Sequence, residues 1–240
     1  MSPEPEPVFD PQAVTPAWIG YVLGREGQCV GCELEAIGTG QVGANYRAHL
    51  SWSDDEGPES VVIKFAASDS QSRSTGIQMG TYEREAEFYR MFAPKLEVAV
   101  PYAHFVDFVP GTADVVIVME DLAPRSQGDQ IGGCSFNEAA LALSQAAKLH
   151  SAFWRKKELS ELAWVSRRTP EQVEQTIALM DLLQPAFVDR YRSDLTAEAL
   201  DLSNRFASDA SHWFDGLPRP VSLAHGDRKS TRLNSSHQII

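Results

Sequence analysis

The chain has 240 residues, of which 43% are apolar, 22% charged and 9% aromatic, a globular composition that excludes disordered and collagen-like classes. Twenty-one lysines and arginines against 33 aspartates and glutamates give a net charge of −12, which argues against nucleic acid as a partner, because phosphate contacts need clustered Lys and Arg. The longest aliphatic run, Val115-Val116-Ile117-Val118-Met119, is about a quarter of the ~20 residues a membrane span needs. The acidic, proline-rich start has no apolar segment of the kind a secretory signal requires, so a soluble, cytoplasmic protein with no membrane partner is expected.

Residues 1–14 hold few apolar groups to offset the entropy of ordering and are expected to form a disordered arm. Thr15 followed by Pro16 predicts a helix start, a cap and then proline at the first helical position. Three strand-like runs come next, 33–37, 46–52 and 61–65, the last two joined by the acidic turn Asp54-Asp55-Glu56-Gly57-Pro58. Residues 67–76, rich in Ser, Asp and Gly, read as loop. Residues 78–92 carry Tyr82, Ala86, Tyr89 and Phe92 at helical spacing, with Pro94 marking the end. Residues 104–109 and 114–119, around Pro110-Gly111, read as a hairpin. Beyond about Leu122 the pattern turns helical. Ser135 and Glu138 make a capping box for a helix running to about Arg155, 170–191 and 196–214 are amphipathic, and 221–224 is a short apolar run. Sheet first and helices afterwards makes an α+β arrangement.

The cysteines are Cys29, Cys32 and Cys134. Cys29 and Cys32 have the spacing of a redox or zinc half-site, but no second pair follows, so free thiols near a strand start are expected.

Four features carry chemistry. Gly38-Thr39-Gly40-Gln41-Val42-Gly43 has the spacing of a phosphate-cradling loop, in which a Cβ would keep the backbone from phosphate oxygens. A dinucleotide-binding unit would lead directly into a helix. Here 44–52 alternates like a strand, which suits a flap over ATP phosphates; a glycine hairpin without a ligand stays open. Lys64, inside Val61-Val62-Ile63-Lys64-Phe65, is costly to desolvate unless paired. Kinases use such a lysine to hold the α- and β-phosphates and pair it with a glutamate on the next helix. Of Glu83, Glu85 and Glu87, Glu85 is the candidate, lying away from the Glu83/Glu87 pair and three residues before Phe88. A lysine snorkelling off an edge strand is the other reading. The run 116–119 ends in Glu120-Asp121-Leu122, where a kinase hinge would offer the backbone of Glu120 and Leu122 to adenine; an ordinary strand end looks the same. Finally, Leu223-Ala224-His225-Gly226-Asp227 either forms a turn or supplies an aspartate that orients an acceptor hydroxyl and takes its proton.

Taken in order, these residues resemble the aminoglycoside phosphotransferase and choline-kinase-like superfamily, above all its ecdysteroid-kinase-like branch. The matching pieces are the glycine loop with Ala44-Asn45-Tyr46-Arg47, Val62-Ile63-Lys64, Arg84-Glu85-Ala86-Glu87-Phe88-Tyr89, Met119-Glu120-Asp121-Leu122, Leu149-His150-Ser151-Ala152-Phe153-Trp154 and Leu223 to Asp227, over roughly residues 17–227. The resemblance implies a protein-kinase-like two-lobe fold, with a complete N-lobe holding an antiparallel sheet over 15–122 and a partial helical C-lobe over 123–227. It implies ATP- and Mg2+-dependent phosphorylation of a small-molecule hydroxyl. Gly38, Gly40 and Gly43 would cover the phosphates, Lys64 would hold them, Glu85 would fix Lys64, Glu120 and Leu122 would form the hinge, and Asp227 would be the catalytic aspartate. His225 would support the catalytic loop, and His150 would pack in its helix.

The resemblance breaks near the end. The family has a magnesium-binding asparagine five residues after the aspartate, where this chain has Arg232, and Asn234 comes two residues late; a second metal aspartate should follow later. No metal ligand is therefore assigned. Residues 227–237 resemble the translation of a widely used sequencing adapter, which implies a foreign tail over 228–240 and a truncated translation. The adapter itself begins with an Asp codon, so Asp227 carries both readings. The expected behaviour is that of an inactive fragment whose later helices, uncovered on their apolar faces, favour aggregation. The alternatives are a non-catalytic nucleotide-binding pseudokinase module, for which a natural Arg232 would speak, and a dinucleotide-dependent oxidoreductase. The acceptor stays open: the acidic balance suits a cation, and is equally an ordinary solubility feature.

Overall fold

In the computed structural model, which describes residues 6–38, 42–54, 56–125, 132–165, 169–216 and 222–223, the alternating runs pair into one antiparallel sheet. Its strands are β1 (Cys29–Ile37), β2 (Gly43–Trp52), β3 (Ser60–Ala66), β4 (Ala103–Phe108) and β5 (Val115–Glu120), in the order β1-β2-β3-β5-β4. Side chains alternate between the two faces of a strand. On β3 that turns Val61, Ile63 and Phe65 to one side, where they pack with Ala48, Trp52, Val116 and Val118 against Trp18 and Ile19 of α1 (Pro16–Val22). Val62 and Lys64 turn to the other. Thr15 caps α1, its hydroxyl accepting the Trp18 N–H at 3.2 Å.

Several expectations need correction. The arm expected to be disordered is packed from Val8 onward: Val8, Phe9 and Val14 lie against the core, and Asp10 caps a 3-10 turn over Pro11–Ala13. Three apolar side chains are enough to hold so short a segment. Residues 67–76 contain most of a helix, α2 (Ser70–Gln78), whose cap is Asp69, accepting the Ser72 N–H at 2.8 Å. The helix expected over 78–92 begins only after Gly80, whose φ of 62° is left-handed and suits glycine. It runs as α3 (Thr81–Glu87) and then widens to a π-helical turn, Phe88–Phe92. Helix α4 (Phe136–Ala152) opens on the expected capping box, Glu138 accepting the Ser135 N–H at 2.7 Å, and stops before Arg155, whose φ is 57°.

The chain divides into two compact units, one of them Phe153–Ser222. Within it lie α5 (Pro170–Tyr191), α6 (Ala197–Ser208) and α7 (Ala210–Asp215). Thr169 and Gln172 form a capping box that starts α5, and Gln184 donates to Ser203 at 3.0 Å and to Asn204 at 3.1 Å, joining α5 to α6. The stretch 196–214 is not one helix: it breaks at Asp209 (φ −103°, ψ 12°). Leu182 remains 74% exposed and Leu202 59%. Of the apolar run 221–224, Val221 and Ala224 lie outside the described residues. The class is α+β, an antiparallel sheet followed by helices. Among the described residues no helix is long and apolar enough to cross a membrane.

Candidate functional site

Lys64 lies on an interior strand, opposite Asn45 of β2 and Ile117 of β5, so the edge-strand alternative is excluded by the strand order. Its Nζ is 2.5 Å from Glu85 Oε1, the two side chains being 10% and 11% exposed. Helix geometry explains the choice of carboxylate. Glu85 is three residues after Tyr82 and four before Tyr89, both buried, and residues so spaced share a helix face. Glu83 and Glu87 are half-buried. Tyr89 is buried beside this pair. Its burial pushes the phenol up, the carboxylates of Glu85 and then Glu120 add to this, and it stays neutral.

The glycine loop meets the lysine through Gly43. A Cβ there would lie 3.0 Å from Lys64 Cε and 3.4 Å from the Phe65 carbonyl oxygen, so glycine is what lets β2 lie this close to the lysine stem. Gly38 turns the chain with φ 76°; Gly40 lies outside the described residues. A hollow of about 200 Å³ opens here, lined by Gly38, Gly43, Asn45, Tyr46, Ser68 and Asp69 among others. The far end of the loop is anchored in a way the sequence reading missed: the Tyr82 hydroxyl donates to the Val42 carbonyl at 2.7 Å, which also accepts the Ala67 N–H at 3.3 Å. The available signal was a tyrosine, not a phenylalanine, on a core-facing helix position.

At the end of β5, Glu120 donates its N–H to the Tyr102 carbonyl at 2.8 Å, and the Leu122 carbonyl accepts the Arg125 N–H at 3.0 Å. Between them Asp121 accepts from Arg47 Nε at 2.5 Å and the Ser60 hydroxyl at 2.7 Å. Burial opposes its ionisation, but the Arg47, Ala123 and Ser60 hydrogen bonds outweigh it and hold Asp121 at about 2. A carboxylate held below its unfolded value stabilises the fold above that value and loses the contribution as pH falls. The Asp121→Asn variant is therefore expected to be less stable than the parent at pH 7, the gap closing between about pH 4 and pH 2; melting temperatures across that range check it.

Cys29 is buried and Cys32 half-buried at the start of β1. Burial, and then proximity to Cys29, pushes the Cys32 thiol to about 11, so it is a poor nucleophile. His150, expected to be packed, is exposed on α4; its neighbour Leu149 takes the buried position. His225 and Asp227 lie outside the described residues. Among the described residues, no group of three or more His, Cys, Asp or Glu is gathered in a way that could hold a metal ion.

The model of the ecdysteroid kinase-like family matches residues 41–177, more than half of the chain. Solved structures are similar at low identity. An ADP-bound aminoglycoside 2′′-phosphotransferase of type Ib is 17% identical with a TM-score of 0.43, over 80% of this chain and 58% of that one. A type I macrolide 2′-phosphotransferase is 21% identical with a TM-score of 0.42, over 89% and 65%. A GDP complex of a type IIIa aminoglycoside 2′-phosphotransferase is 18% identical with a TM-score of 0.46, over 86% and 63%. The chain thus spans less than two thirds of the length of each of these structures. No curated protein matches it.

Proposed function

Because the chain belongs to the ecdysteroid kinase-like family of kinase-like phosphotransferases, we propose that it binds ATP with magnesium and serves transfer of the γ-phosphate to a hydroxyl of a small molecule. The observation that supports this reading most is the buried Lys64–Glu85 pair with Gly43 against the lysine stem. An ammonium has three donors; among the described residues Glu85 takes one, and the others would serve phosphate oxygens. Phosphoryl transfer passes through a loose transition state, so the protein's task is to position groups and neutralise charge. In this reading Lys64 holds the phosphates, Glu85 holds Lys64, the amides around Gly38, Gly40 and Gly43 cover them, and the backbone of Glu120 and Leu122 meets the base. Asp227 orients the acceptor hydroxyl and takes its proton as that oxygen bonds to phosphorus and the bridging oxygen of ADP leaves. Magnesium, when bound, would screen the phosphate charge.

A second reading, a pseudokinase that binds nucleotide without transfer, would be favoured by a natural Arg232, which stands where the resemblance calls for asparagine. Thermal denaturation of the 240-residue chain tests the shared premise. Millimolar Mg-ATP is expected to raise the melting temperature and NAD to leave it unchanged; protection by NAD alone, or by neither, would overturn the nucleotide reading. On this second reading, binding without turnover is expected. Steady ATP-dependent phosphorylation of a hydroxyl acceptor by a pure preparation would refute that and remove the second reading.

A further inference from the structure

One carboxylate organises the chain just beyond β5. Asp121 Oδ2 accepts from Arg47 Nε at 2.5 Å and from the Ser60 hydroxyl at 2.7 Å, while Oδ1 accepts from Arg47 Nη2 at 3.3 Å and from the Ala123 N–H at 3.0 Å. The donors come from β2, from β3 and from the segment itself, and the carboxylate they surround is 5% exposed. Ladder pairing with β3 ends at Val61 and Glu120, so beyond that point the fork of Arg47 takes over from the sheet in holding the backbone. Arg47 shares its face of β2 with Asn45, by the two-residue period of a strand, and Asn45 stands opposite Lys64. Ser60 shares the face of Lys64 on β3 by the same rule. The carboxylate cluster and the lysine therefore occupy opposite ends of one face of the sheet.

We propose that Arg47, Asp121 and Ser60 form a positioning clamp for base recognition. They touch no ligand; they fix the backbone of residues 120–122, whose groups meet the nucleotide base. This rests on the nucleotide reading above and deepens it, separating base affinity from phosphate affinity. Backbone groups discriminate only as well as they are held, because ordering them on binding subtracts from affinity. A planar guanidinium bonded at two points holds direction as well as distance, which a lysine at the same place would not.

The test is calorimetric titration of the full chain with Mg-ATP and, separately, with magnesium tripolyphosphate, which has no base. Asp121→Asn and Arg47→Met are expected to weaken Mg-ATP by about tenfold, the worth of one good hydrogen bond, and to leave tripolyphosphate within about twofold. Arg47→Lys is expected to resemble Arg47→Met. Ser60→Ala keeps both charges, preserves the fold, and is expected to shift the ratio of the two affinities by roughly threefold in the same direction. A purely structural role would weaken both ligands alike, and that result, or an unchanged ratio in Ser60→Ala and Asp121→Asn, overturns the clamp while leaving nucleotide binding standing. A parent chain that binds neither ligand overturns the nucleotide reading itself.

Discussion

Replacing Lys64 by methionine is expected to lower Mg-ATP affinity by roughly a hundredfold or more and to cost about 3–5 kcal/mol of folding stability. The first effect follows from two charge-assisted hydrogen bonds lost to phosphate, each worth about 1.5–3 kcal/mol. The second follows from Glu85, which would keep its charge in a site only 11% exposed with nothing to balance it. The two effects separate in a second variant. Lys64→Met combined with Glu85→Leu removes both charges, and apolar replacement of a buried pair is close to neutral for stability. The double variant is therefore expected to regain most of the lost stability, read by chemical denaturation, and none of the nucleotide affinity, read by calorimetry. If single and double variants both bound Mg-ATP like the parent, Lys64 would be a structural lysine and the phosphate role would be lost.

Gly76→Ala is expected to destabilise the protein by about 1–3 kcal/mol, the usual range for overpacking, although alanine inside a helix is ordinarily about 1 kcal/mol better than glycine. The reason is contact: a Cβ at Gly76 would lie 2.5 Å from Tyr82 Cζ and 2.7 Å from its hydroxyl. Tyr82 cannot simply swing away, being buried and bonded to the Val42 carbonyl at 2.7 Å. Displacing it would also release the far end of the glycine loop, so weaker nucleotide binding is expected alongside the lower stability. Tyr82→Leu in the Gly76→Ala background makes room for the methyl group and is expected to restore part of the stability without restoring the binding. A Gly76→Ala variant more stable than the parent would show that α2 and α3 do not meet as described.

The legible parts were those with a local signature. Strands over 46–52 and 61–65 were readable because alternation is written into consecutive residues, and a lysine in an apolar strand is costly unless paired, with the resemblance to kinases placing its carboxylate on the next helix. Helix α2 was illegible for the converse reason. Ser70-Gln71-Ser72-Arg73-Ser74-Thr75-Gly76-Ile77-Gln78 has no apolar stripe, and the helix exists because Asp69 caps it and Gly76 lets Tyr82 close against it. His150 misled because a histidine on an amphipathic helix is one position from burial, and a rotation of about 100° per residue separates it from the buried Leu149. The Arg47–Asp121 pair spans 74 positions and no spacing rule reaches it.

Residue order alone was sufficient to say which side chains share a strand face and which lysine is costly to bury, because periodicity and desolvation act on segments a few residues long; the chemistry expected of them came from the resemblance of the ordered motifs. Tertiary structure decided that β3 is interior, that Tyr82 anchors the loop, and that a single carboxylate ties β2, β3 and the chain beyond β5 together. Those contacts depend on the order in which strands and helices assemble, and a hydrogen bond forms only between groups that assembly has already brought within about 3 Å.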